Sequence, residues 1–316
     1  MQSSSTLAIG VLGALLLSPS IVRADPTQGP SGAPTVTPVS PTATLGHATV
    51  VRELDQHFVF DPVADGALTA AGFGFSGILT LVLNTGEIKP ASPNVGVDQL
   101  FSLDRIAVTQ TIDKNAGTYS DIGLYSAVGF AVLDPILSGF RDGWDAALVD
   151  GFMYAESISI AMTLTDLTKI AVRRPRPIDY VNCPAQTPTA ANPTGVSTNP
   201  GCATSTDLGL SFFSGHSATV AAIGATATYL AFVRAPHTQR PWITLGVATA
   251  LTTFVSYERV RSGAHFPTDV IAGAMAGTAV GIMVPHLHRH QEEAPTVWVG
   301  VEPLPGGGSL SLQGYL

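Results

Sequence analysis

Six apolar stretches rich in Ala, Leu, Val, Gly and Thr recur along this chain, at 67–85, 122–140, 151–168, 217–233, 241–257 and 270–285. Their pattern is helical, and helices of this kind must bury apolar faces against one another, so an all-α bundle is predicted. Hydrophobic residues make up 45% of the chain and mean hydropathy is +0.31, which brings a membrane into consideration. Two features argue against six spans. The last three stretches fall short of the roughly 20 residues a span needs. Asp134, Glu156 and Asp166 also lie inside the second and third stretches, where a bilayer would penalise them. The expectation is therefore a soluble exported helical domain, with a six-span integral membrane protein as the alternative.

The ends of the chain differ from the middle. Residues 1–24 resemble an export signal, with an apolar core from Leu7 to Leu17 and Val22-Arg23-Ala24 before Asp25 as the cleavage site. This implies a periplasmic or extracellular protein, possible contact with a membrane included. Residues 25–47 are rich in Pro, Thr, Ser and Gly and read as a linker. The helical domain is assigned to 48–290, with its motifs within 150–285. In the tail, 295–316, two alternating segments flank Pro305-Gly306-Gly307-Gly308, the pattern of a short β-hairpin packed on the body. If the chain is exported, Cys183 and Cys202 are expected to pair as a disulfide. A cleaved signal with six spans would instead leave that loop, and the motif beside it, in a reducing compartment.

Net charge is −8 and pI about 5.4, which excludes nucleic acid as the expected partner. The 15 cations are unevenly spread, and Lys169, Arg173, Arg174, Arg176, Arg259 and Arg261 sit in two short segments. Such clustering in an acidic chain points to a local anion pocket. Lys169, Arg173 and Arg176 share a helical face by their spacing, while Pro175 and Pro177 should end the helix and leave Arg176 in an extended turn. Ser214-Gly215-His216 opens an apolar helix, whose free N–H groups favour an anion; an N-cap is the ordinary role of such a serine. Asp269 follows His265 by one helical turn, so its carboxylate could fix the imidazole tautomer. His286, His288 and His290 read as a solvated polar turn rather than a metal cluster.

Taken together, Lys169-x6-Arg176-Pro177, Ser214-Gly215-His216 and Arg259-x5-His265-x3-Asp269 resemble the type 2 phosphatidic acid phosphatase and vanadium haloperoxidase superfamily. The resemblance covers roughly 150–285. It implies a helical bundle and a metal-independent phosphomonoesterase acting on a lipid phosphate, an isoprenoid pyrophosphate or a small ester. By it, Lys169, Arg176, Ser214, Gly215 and Arg259 would hold the phosphate. His265 would be the nucleophile, Asp269 its orienting carboxylate and His216 the general acid. No metal or organic cofactor is implied; vanadate would be one only if the chain were a haloperoxidase, and a non-catalytic phosphate-binding envelope protein is the third possibility. Phe213 stands where the family has Pro, and Glu258 where it has Ser. Glu258 would repel phosphate unless it turns away or pairs with Arg261.

Overall fold

The computed structural model describes residues 55, 57–85, 88, 91–199, 202 and 206–289, together with the backbone of 297–304 and 307–314. Residues 1–49, a separate unit holding the expected signal and linker, lie outside the described residues. The helices are α1 (Ala64–Asn84), α2 (Arg105–Thr109), α3 (Ala116–Asp142), α4 (Trp144–Val172), α5 (Pro177–Asn182), α6 (Gly215–Arg234), α7 (Arg240–Arg261) and α8 (Pro267–Leu287). The backbone of β1 (Val297–Leu304) pairs antiparallel with that of β2 (Gly307–Gly314). Packing of this tail on the body stays an expectation.

Helix α6 is central and packs on α3, α4, α7 and α8. Its residues explain why: Ala218, Ala221, Ala222, Ala227 and Ala231 are buried, small enough to let four neighbours approach. The closest approach is to α8. There Gly273, Gly277 and Gly281, one per turn, face the backbone of Ser214, Ala218 and Ala222. A Cβ on Gly277 would lie 1.9 Å from the Ala218 carbonyl oxygen, an impossible contact. This small-residue stripe is the device by which helices associate where burial of large apolar side chains supplies no drive. Gly277→Val is expected to cost about 1–3 kcal/mol or more by overpacking. Gly74→Ala, on α1 with open space around it, should be neutral or slightly stabilising. Thermal unfolding of the two variants checks the contrast.

The exterior of the bundle is apolar. On α3 alone Ile122, Tyr125, Val132, Leu133 and Phe140 are exposed, and α1, α7 and α8 present similar faces. Soluble monomers rarely expose patches of this extent. Several charges, by contrast, point inward and are paired. Asp134 accepts from Tyr154 Oη at 2.9 Å and from Arg240 at 3.2 Å. Arg234 binds Asp150 at 2.6 Å and Asp55 at 2.8 Å. Glu156 is 3.5 Å from His288, and Ser76 donates to Asp166.

Both objections to membrane helices therefore lose their force. The three acidic side chains are satisfied inside the bundle rather than facing lipid. The last three helices are 20, 22 and 21 residues long, because α6, α7 and α8 extend through Arg234, Glu258-Arg259 and Pro267-Thr268-Asp269, which apolarity alone does not mark as helix. Among the described residues, five helices are long and apolar enough to cross a membrane.

The antiparallel helices bring the C-terminal ends of α4 and α7 to the N-terminal ends of α3, α6 and α8. Over this end lies the segment between α1 and α3, whose Leu100 and Ala107 pack with Tyr180 and Phe266 in a second small core. Cys183 and Cys202 form a disulfide at the same end, closing the α5–α6 loop. A loop with a sequence separation of 19 is worth about 3 kcal/mol in the chain-entropy view.

Candidate active site

Helix α4 carries Lys169 in its last turn and stops at Arg173, which adopts the left-handed conformation at φ 51° and donates its N–H to the Lys169 carbonyl. The following Pro-rich run cannot stay helical, so Arg176 is extended and Pro177 starts α5. The reading that puts Arg173 on the face of Lys169 is corrected here. The helix ends before it, and its side chain is exposed. Arg174 turns inward instead. Its guanidinium donates to Asp104 at 2.7 Å, to Thr268 at 2.9 Å and to Asp269 at 2.5 Å, and it lies 4.0 Å from the Phe266 ring centroid.

Ser214 is the N-cap of α6, and its hydroxyl accepts from the Ser217 N–H at 3.4 Å and the Ser217 hydroxyl at 3.1 Å. Capping uses the lone pairs of this oxygen and leaves its O–H, with the amides of the first turn, as a donor at this point. Gly215 leaves room for the cation behind it. A Cβ there would sit 3.0 Å from Thr165 Cγ2 and 3.9 Å from Lys169 Nζ. His216 Nε2 lies 2.8 Å from Asp121 Oδ1, and a carboxylate can only accept, so this nitrogen carries a proton.

Helix α7 ends just after Arg259, whose Nη1 is 3.4 Å from Ser120 Oγ. Gly263, at φ 70°, makes the turn into α8, where Pro267 holds the first helical position. Glu258 does not face an anion. Both its oxygens accept from Arg261 Nη1, at 3.1 and 3.2 Å, and Arg261 also binds Asp113. Phe213 is buried, filling the loop where the family has Pro.

His265 is only 1% exposed. Its Nδ1 donates to the Ser211 carbonyl at 2.6 Å, which fixes the hydrogen on Nδ1 and leaves the Nε2 lone pair unprotonated. Asp269 is not the direct partner that the i, i+4 spacing predicts. As the third residue of α8, its carboxylate folds back to accept the Phe266 N–H at 2.9 Å, and it also accepts from Arg174 and the Ser211 hydroxyl. Asp269 therefore positions His265 through Ser211. Burial, and then the positive charges of Arg176, Arg259 and Lys169, push the His265 pKa well below the ordinary histidine value.

The three cations thus converge on one imidazole. Two of them keep a donor in reserve: Nε of Arg176 and Nε of Arg259 are buried and have no hydrogen-bond partner among the described residues. An unpaired buried donor is costly, so such atoms mark a place shaped for an acceptor. Arg176 also pairs with Asp207, whose side chain is exposed.

Residues 150–293 match the family model described as the PAP2 superfamily. Among solved structures, the chain is similar to a transmembrane PAP2-type phosphatidylglycerolphosphate phosphatase from Bacillus subtilis. The two are 18% identical over 71% of this chain and 94% of that one, with a TM-score of 0.41. No curated protein matches. The matched stretch begins inside α4, so α1 to α3 precede it, and α3 and the segment before α2 still reach the site. Asp121 and Ser120 from α3, with Asp104 before α2, touch His216, Arg259 and Arg174. Sequence motifs could not reveal these contacts, because no spacing relates them to the three signatures. Arg174 and Ser211 were within reach, one in the basic run and the other three residues before Ser214.

Proposed function

We propose that the protein is a metal-independent phosphomonoesterase that works through a phosphohistidine. Support comes first from the buried Nε donors of Arg176 and Arg259, which have no partner among the described residues, together with the charge of both guanidinium groups felt at His265 and its unprotonated Nε2. In the first step that lone pair attacks phosphorus, the Nε2–P bond forms and the P–O bond to the leaving group breaks. His216 supplies the proton that the leaving oxygen takes up. In the second step His216 takes a proton from water, whose oxygen displaces His265 and releases inorganic phosphate. Lys169, Arg176, Arg259, the Ser214 hydroxyl and the first amides of α6, that of Gly215 included, carry the charge on the non-bridging oxygens, the largest expected contribution. The test is phosphate release from p-nitrophenyl phosphate and from phosphatidic acid with EDTA present. Activity that survives EDTA is expected; a bromide oxidation that needs vanadate, with no phosphate release, would overturn the reading.

The depressed His265 pKa gives the pH dependence a sign. The neutral nucleophile persists as pH falls through the ordinary histidine range and is lost only below it. Once corrected for ionisation of the substrate, the acid limb of kcat/KM should therefore lie below pH 6.5, and a limb at or above that value would contradict the assignment.

We further propose that the long helices span a bilayer and that the substrate is an amphiphilic phosphate ester, since the pocket lies at one end of an apolar-faced bundle. The disulfide beside the pocket favours an oxidising compartment on that side. In that orientation the start of α1 faces the cytoplasm, which is at odds with a cleaved export signal at residue 24. A cysteine placed at exposed Thr189, in a chain keeping its disulfide, should react with a membrane-impermeant maleimide on intact cells. Labelling only after lysis would reverse the orientation.

A further inference from the structure

Helices α7 and α8 both rest on α6 but touch each other little, and the space between them is a groove of about 860 Å³. That is within the ~300–1,000 Å³ range of small-molecule sites. Its floor is Ala221 and Gly224 of α6, and its walls include Thr249 and Thr252 of α7 and Thr278 of α8. The hydroxyl of Thr228, also in the lining, is returned to the Gly224 carbonyl at 2.7 Å. The groove is therefore largely apolar. One end is different. There Tyr229 Oη meets His286 Nδ1 at 3.0 Å, and Arg289 stands exposed beside them. Among the described residues the Arg289 guanidinium has no hydrogen bond or ion pair.

This end is far from the active site. From His216 to Val233 along α6 is about 25 Å at 1.5 Å per residue, close to the hydrocarbon thickness of a bilayer. Trp242 packs on Phe232, with ring centroids 5.2 Å apart, near the same end, and Tyr229 joins it. Aromatic residues with a polar edge gather at headgroup depth. An apolar furrow, an aromatic rim and an exposed guanidinium together match one amphiphile: acyl chain in the furrow, anionic head at the cation.

We infer that the groove between α7 and α8 is a binding site for an anionic phospholipid of the leaflet opposite the active site. The inference rests on the membrane-spanning reading and not on turnover.

Native mass spectrometry of the full chain, released from mild detergent with added phosphatidylglycerol or phosphatidylcholine, tests it. A retained phosphatidylglycerol adduct is expected, favoured over phosphatidylcholine. Arg289→Ala should reduce that preference about fivefold, the worth of one cation near an anionic headgroup. Thr249→Trp, which fills the furrow from an exposed position, should abolish the adduct, with phosphate release unchanged in both variants. Equal retention of the two lipids by the parent, or an adduct indifferent to both substitutions, overturns the site. A dimer that Thr249→Trp dissociates would give the groove to a second copy instead. A chain that stays monodisperse without detergent would remove the membrane reading itself, and phosphate release would still report on the phosphatase.

Discussion

His265→Asn is expected to abolish phosphate release, by about 10³-fold or more, while leaving the protein folded. Asparagine removes the nucleophilic Nε2 but retains an N–H that can take the place of Nδ1–H at the Ser211 carbonyl. The buried acceptor thus keeps a partner, so lost activity cannot be put down to an unsatisfied carbonyl. Parallel rates and thermal unfolding separate the two effects. Full activity in the variant would assign the nucleophile elsewhere.

The second large effect is one of stability. Arg174 lies between Asp104 and Asp269, both almost completely buried, and holds Thr268 as well. Arg174→Met leaves two buried carboxylates without their cation, a class of change that costs about 3–5 kcal/mol. Since the Arg174 side chain is 21% exposed, the lower part of that range is expected. Activity should fall too, because Asp269 anchors Ser211 and Ser211 orients His265. Arg174→Lys keeps the charge but cannot fork between two carboxylates, and should recover only part of the stability. Unfolding midpoints for the three forms decide this, and an unchanged midpoint for Arg174→Met would refute the role.

The bundle was legible because six apolar stretches with helical period have few other ways to bury their faces. What they concealed was the inverted polarity. A sequence window over Asp134, Glu156 or Asp166 records a charge inside an apolar run. Whether it faces lipid or a partner such as Tyr154 and Arg240 depends on helix rotation, which periodicity leaves open when nearly every position is apolar. The glycine ladder of α8 was in plain view at Gly273, Gly277 and Gly281, yet its meaning depends on Ala218 and Ala222 lying opposite.

At the site, the signatures named the cations and the two histidines, since each chemistry demands its residue type at a fixed place on a helix end. The spacing of His265 and Asp269 was a poorer guide. It predicts a direct contact on a regular helix, but His265 precedes α8 and lies outside its first turn, so Ser211 intervenes. Asp104 and Asp121 come from segments that no motif marks. Only the fold brings them to Arg174 and His216.

The central claim is covalent chemistry at one nitrogen. Rapid acid-free quenching during turnover of p-nitrophenyl phosphate, followed by peptide mass spectrometry, should find a phosphoryl group on His265, stable to base and labile to acid. Its absence from His265→Asn completes the expected result. Turnover that continues with no such adduct, or with the phosphoryl group on another residue, would contradict it.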